Sequence, residues 1–116
     1  MYQVVKRDGR LVDFALSRIT SAIQMAFDET KMPYNKYIIR ILTLQVTADV
    51  APKVNNDRIN AEEIQYSVEA VLQRSGYASV AKSYILYRKS REKLREIRST
   101  ALDYKKLEDV YLNVSD

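Results

Sequence analysis

Cations gather in two places where an anion could use them. In "VVKRDGRLVDF", residues 4–14, Lys6 and Arg7 stand directly before Asp8-Gly9, Arg10 follows, and Arg18 opens a helical run just beyond. In "YASVAKSYILYRKSREKLREIR", Lys82, Arg88, Lys89 and Arg91 recur, and Tyr84, Tyr87 and Arg91 are linked by steps of three and four. Residues so spaced share a helix face. A ring beside guanidinium groups could hold a base and its phosphates, and a helix start adds unpaired backbone N–H groups that attract negative charge. The same residues also fit a plainer reading. Charges at a hairpin end deter edge pairing, and Tyr84 and Tyr87 on an amphipathic helix can be core or boundary residues.

Catalysis has little to work with. The 116 residues include no cysteine and no histidine. That excludes a disulfide framework, a thiolate or imidazole metal site, a thiol nucleophile and a His-centred triad. No P-loop and no glycine-rich dinucleotide fingerprint is present. Most carboxylates fall at helix starts and on solvent faces, where the helix dipole and solubility account for them. The net charge of +4, from 19 Lys and Arg against 15 Asp and Glu, permits an anionic partner without requiring a nucleic acid. No apolar run suits a membrane span or a signal peptide, and a cytoplasmic location is the expectation. A hydrophobic share of 47% supports one modest core in one domain.

The elements that must position these residues can be read from turns and caps. Asp8-Gly9 between apolar runs predicts a hairpin with a type I′ turn, its strands near Tyr2–Lys6 and Arg10–Phe14. Ser17 is the expected cap of a helix starting at Arg18, with Ile19, Ala22, Ile23, Ala26 and Phe27 at helical spacing. Pro33 ends that pattern and Asn35 caps the next helix, Lys36 to Val50. Its expected apolar stripe is Ile38, Ile41, Leu42, Leu44, Gln45 and Ala48. Pro52 and "KVNNDR" make a break. Asn60 then caps a third helix, with Glu63 completing a capping box; Ile64, Val68, Val71 and Leu72 form its apolar face. Gly76 falls where a left-handed helix terminator belongs. A long helix follows, apolar at Val80, Ala81, Tyr84 and Ile85, and "LDYKKLEDVYL" reads as one further helical piece. The fold class is therefore α+β, mostly α. An N-terminal β-hairpin lies across a bundle of about four helices, since a lone hairpin is not stable.

In this order and spacing, "VVKRDGRLVDF", "LSRIT", "INAEEIQYSVEAVL" and "GYASVAKSYILYR" resemble the ATP-cone domain, a nucleotide-sensing module at the N-terminus of many ribonucleotide reductases and in a bacterial repressor of reductase genes. The resemblance covers roughly residues 3 to 95. It implies a hairpin lid closing over a short helical bundle, with ATP or dATP bound between them, accompanied by Mg²⁺. It places Lys6 and Arg7 near the phosphates. The stretch Val12, Asp13, Phe14, Ala15, Leu16, Ser17 and Arg18 would enclose base and sugar, with Arg18 where the family usually has Lys. Val4 and Ile19 would supply apolar contact. Asn60 and Gln65 match the part of the third helix that faces the nucleotide, Tyr87 an aromatic position, and Arg91 a basic one that reaches phosphate. No protein metal ligand is implied.

The resemblance further implies residues 1–98 as the nucleotide-binding domain and 99–116 as a linker or helical tail towards a catalytic domain. The chain itself would then be a regulatory piece and not an enzyme. A zinc-ribbon repressor is disfavoured, because cysteine is absent and the cone begins at the first residues. The tail "LEDVYLNVSD" resembles the linker of anaerobic, glycyl-radical ribonucleoside-triphosphate reductases; a freestanding cone protein and an aerobic host stay open beside it. The implied function is allosteric control of overall reductase activity by ATP and dATP, through changed assembly. Expected partners are the catalytic domain and other cone domains, with no membrane. Two other classes stay open: a nucleotide-responsive transcriptional regulator or nucleic-acid-binding helical domain, through the basic last helix, and a helical interaction domain without a ligand.

Overall fold

The computed structural model describes residues 2–114, without the side chains of 102, 104 and 106–114. The elements in chain order are strands β1 (Gln3–Val5) and β2 (Leu11–Asp13), helices α1 (Leu16–Thr30) and α2 (Lys36–Val50), a 3₁₀ turn at Ala51–Lys53, strand β3 (Arg58–Asn60), and helices α3 (Ala61–Arg74) and α4 (Ala78–Val114). The chain forms two compact units, Met1–Ile85 and Leu86–Asp116. The boundary expected at residue 98 falls inside α4, which also runs unbroken through the piece expected as a separate helix. Residues 115 and 116 of the expected tail lie outside the described residues.

The expected hairpin forms, with shorter strands and a different turn. Val4 faces Val12 and Val5 faces Leu11 in antiparallel register. Gly9 donates to the Lys6 carbonyl at 2.9 Å, Lys6 donates to the Arg10 carbonyl at 2.8 Å, and only Gly9 of the loop has a positive φ, +86°. This is the three-residue loop closed by a left-handed glycine, not type I′, which needs two positive φ values. The Asp8 carboxylate accepts from the Arg10 backbone N–H at 3.1 Å and from its guanidinium at 2.7 Å. Those two donors hold the Asp8 carboxyl below its ordinary value.

The type I′ geometry occurs instead at Asn56-Asp57, where φ is +52° and +58° and Asn55 and Arg58 exchange both backbone hydrogen bonds. Asn and Asp tolerate the left-handed region better than other non-glycine residues. That turn sends the chain into a strand the sequence reading missed. β3 runs parallel to β1, with Val4 beside Ile59, so β1 is the centre of a three-stranded sheet ordered β2-β1-β3. Val4 and Ile59 are buried in the core with Ile23, Phe27, Val46 and Leu72.

Helix ends were partly foreseen. The Asn35 side chain accepts from Tyr37 and Ile38 N–H groups at 3.0 and 2.9 Å, as expected. Gly76, with φ +89°, ends α3; it donates to Gln73 O and Tyr77 donates to Leu72 O, the Schellman pair. Two expected caps do not form. α1 starts earlier, at Leu16 after an extended Ala15, which puts Ser17 inside the first turn. Asn60, the last residue of β3, precedes α3 without a side-chain cap.

The largest revision concerns α2. Its buried residues are Ile39, Leu42, Thr43, Val46 and Val50. Ile41 and Leu44, expected in the core, are 54% and 58% exposed. Thr43 is tolerated inside because its hydroxyl donates to Ile39 O at 2.8 Å and shares a 3.2 Å hydrogen bond with Thr20 of α1.

A second polar knot joins α2 to α3. Ser67 is fully buried and accepts from Lys53 Nζ at 2.7 Å. Asp49 lies 3.5 Å from Lys53 Nζ and 3.4 Å from Arg74. The Ser67 hydroxyl, then Arg74 and Lys53, hold the Asp49 carboxyl below its ordinary 3.8. A carboxyl whose pKa falls on folding contributes stability above its unfolded value and loses it as pH drops through the folded value. Asp49→Asn is therefore expected to cost about 1–2 kcal/mol at neutral pH. It should also flatten the loss of thermal stability on acidification below 3.8. Melting curves of both proteins across that range check this.

Candidate functional site

The two cations before the turn have different surroundings. Lys6 follows β1 and pairs with Arg10 across the hairpin, whereas Arg7 lies in the three-residue loop. Arg7 Nε lies 3.4 Å from Glu62 Oε1, at the start of α3. Lys6 lines a recess of about 170 Å³ between the hairpin, α1 and α3.

Nine residues expected at the site line that recess: Val4, Lys6, Val12, Asp13, Phe14, Ala15, Arg18, Ile19 and Gln65. β2 delivers Val12 and Asp13, and the chain then turns through Phe14 and Ala15 into α1. Phe14 is held by its N–H to Tyr2 O at 3.0 Å and by an edge-on contact with the Tyr2 ring. Ala15 offers no side-chain cap, so α1 opens on the recess without one, and no acidic residue stands in its first turn. Arg18 is exposed on that first turn. The arrangement places a helix N-terminus and two cations beside a mostly apolar wall. Such an end favours negative charge.

One polar atom inside is unsatisfied. Gln65 Oε1 is buried and has no hydrogen-bond partner among the described residues. A buried acceptor without a donor is costly, and this one stands in a wall otherwise made by Ala61, Ile64 and Val68 of the same helix face.

The other expected residues are not among those that line the recess. Arg7 is at Glu62. Leu16 and Ser17 are exposed at the start of α1, and Asn60 is exposed at the end of β3; none of the three lines the recess. Tyr87 and Arg91 belong to the second unit, where the Arg91 guanidinium sits 6.0 Å from the Tyr87 ring centre.

Five lining residues were not expected: Ala22, Ala61, Ile64, Val68 and Tyr84. Ala61 and Val68 lie four before and three after Gln65, so helical spacing from Gln65 was a usable signal. Alanine at 22 and 61 leaves the space that larger side chains would fill. Tyr84 is 6% exposed and reaches the recess from the first turns of α4. Among the described residues no cluster of three carboxylates or other ligand side chains could hold a metal ion, and no helix is long and apolar enough to cross a membrane.

The chain is similar to known proteins over most of its length. The sequence profile of the ATP cone domain family matches residues 2–93. The chain is 38% identical over 98 residues to "Ribonucleoside-diphosphate reductase subunit alpha" of Chlamydia pneumoniae, covering 79% of the chain and 9% of that relative. It is 38% identical over 104 residues to "Vitamin B12-dependent ribonucleoside-diphosphate reductase" of Thermoplasma acidophilum, covering 81% and 12%. It is 34% identical over 98 residues to "Anaerobic ribonucleoside-triphosphate reductase" of Haemophilus influenzae, covering 84% and 14%. The chain thus spans 9–14% of the length of these relatives.

Proposed function

The chain belongs to the ATP cone domain family, and on that premise we propose that it is the nucleotide-binding regulatory domain of a larger ribonucleotide reductase polypeptide. ATP and dATP are the effectors in this reading. The observation that carries it is the recess itself, in which an apolar wall, Lys6, Arg18 and the uncapped start of α1 converge. At about 170 Å³ the recess is smaller than a typical whole-ligand cleft. It suits the base, with the phosphates lying outward at Lys6 and Arg18. Charge-assisted hydrogen bonds from Lys and Arg suit a triphosphate, and Mg²⁺ would be carried by that triphosphate.

In this reading Gln65 Oε1 accepts from the exocyclic amine of adenine. Guanine presents a carbonyl at the corresponding position, so ATP is preferred over GTP. Gln65→Leu is expected to weaken ATP binding about tenfold, the worth of one buried hydrogen bond, and to narrow the preference over GTP. Calorimetric titration of both proteins with both nucleotides tests this. Unchanged ATP affinity and unchanged preference in Gln65→Leu would contradict the assignment.

Regulation requires that the effectors stabilise different arrangements, since equal affinity for two states shifts neither. ATP and dATP differ only at the ribose 2′ position, so the difference must be amplified at an interface. We assign an active assembly to ATP and an inactive one to dATP. We infer an anaerobic host from the resemblance of the tail "LEDVYLNVSD" to the linker of anaerobic reductases. Identities of 38%, 38% and 34% to three kinds of reductase do not separate them.

A further inference from the structure

The outward face of α2 carries the features of a docking surface. Tyr37, Ile41 and Leu44 are 62%, 54% and 58% exposed. At 3.6 residues per turn, these three and Ala48 fall within about 60° of arc, so they form one apolar stripe along the helix. Lys36 and Arg40, one turn apart, run along one edge of it. They and Tyr37 enclose a cleft of about 210 Å³, with Lys36 Nζ 5.6 Å from the Tyr37 ring centre. None of the exposed residues of α2 is acidic; Asp49, on the same helix, is engaged by Lys53 and Arg74.

We propose that this face binds an amphipathic helix of a partner protein whose apolar stripe is flanked by carboxylates, one of which enters the Lys36–Tyr37–Arg40 cleft. The charge pattern selects this occupant. A pair of α2 helices, antiparallel or parallel, would offer the Lys36–Arg40 edge no acid, since none of the exposed residues of α2 is acidic. A partner that brings carboxylates satisfies both cations, and potentials complementary in this way fix partner and register. Tyr and Arg are also the residue types that dominate interface energies. The inference names an output partner for the regulatory domain and rests on that reading. α2 is tied to α1, which lines the recess, by the Thr20–Thr43 hydrogen bond.

The test uses two synthetic helical peptides that share a leucine stripe and differ only in flanks, Glu in one and Lys in the other. Each is titrated into the isotope-labelled chain without nucleotide, so failure here and failure of nucleotide binding are separate results. The Glu-flanked peptide is expected to shift the amide signals of Tyr37, Arg40, Ile41 and Leu44, and to bind at least tenfold tighter than its Lys twin. Lys36→Glu with Arg40→Glu should invert the preference, and Tyr37→Ser should weaken binding of the Glu-flanked peptide with the melting curve unchanged. Equal binding of the two peptides, absence of binding by both, or shifts confined to Arg88–Arg98 would overturn the proposal. Self-association of the chain that Tyr37→Ser abolishes would give the face to a second copy, and phosphatidylserine vesicles binding where neither peptide does would give it to a membrane. Either would also overturn it.

Discussion

Replacing Lys6 and Arg18 together by alanine is expected to weaken ATP binding about 100-fold or more, since each would lose a charge-assisted contact worth about 1.5–3 kcal/mol. Both line the recess, one from just after β1 and one from the first turn of α1. The attraction is electrostatic, so the affinity of the unmodified protein also falls as salt rises, and that dependence is reduced in the double variant. Arg7→Ala is the control: its guanidinium is 3.4 Å from Glu62 Oε1 and outside the recess, so the loss is smaller. Calorimetry at two salt concentrations reads all three proteins. An Arg7→Ala loss as large as that of the pair would move the phosphates to the outer side of the hairpin.

Phe27→Ala has the largest expected effect on stability. The ring is fully buried on α1, packed 5.3 Å from the Tyr34 ring and edge-on at 5.0 Å to Tyr77. Truncation removes transfer energy and leaves a cavity, together about 3–5 kcal/mol. Domains of this size hold about 5–15 kcal/mol in all, so the variant is expected to be folded but strongly weakened, with its urea midpoint sharply lowered. A loss under about 1 kcal/mol would show that Tyr34 and Tyr77 collapse into the space, against the close packing of the core.

Local signals in the sequence were reliable where the physics is local. The Asn35 cap and the Gly76 terminator are set by a few adjacent residues, and both occur as read. β3 left no such signal. It has three residues, too few to alternate, and its partner β1 is more than fifty positions away. "NNDR" was read as a break, yet Asn56 and Asp57 make the tight turn that brings Ile59 beside Val4. α2 misled for a different reason. Apolar residues occupy both arcs of the helix, so periodicity could not choose the buried one. Thr43 disguised the true core face by being polar and satisfied.

The candidate site was legible in its first half. The stretch from Val12 to Ala15, with Lys6, Arg18 and Ile19, was expected and lines the recess. Lys6 and Arg7 were expected together near the phosphates; Lys6 lines the recess, and Arg7, in the loop, stands 3.4 Å from Glu62 Oε1. The far wall comes from tertiary packing of α3 and the start of α4. Of it only Gln65 was assigned to the site; Ile64 and Val68 were read as an apolar helix face, Tyr84 was weighed between a ring that holds a base and a core residue, and Ala61 was not singled out.

Calorimetric titration of the unmodified chain with ATP and with dATP, each with Mg²⁺, tests the central claim most directly. Saturable binding of about micromolar affinity or tighter, accompanied by a rise in melting temperature, is the predicted result. Neither heat nor a thermal shift with either nucleotide would contradict it, and would leave the recess beneath the hairpin without the ligand assigned to it.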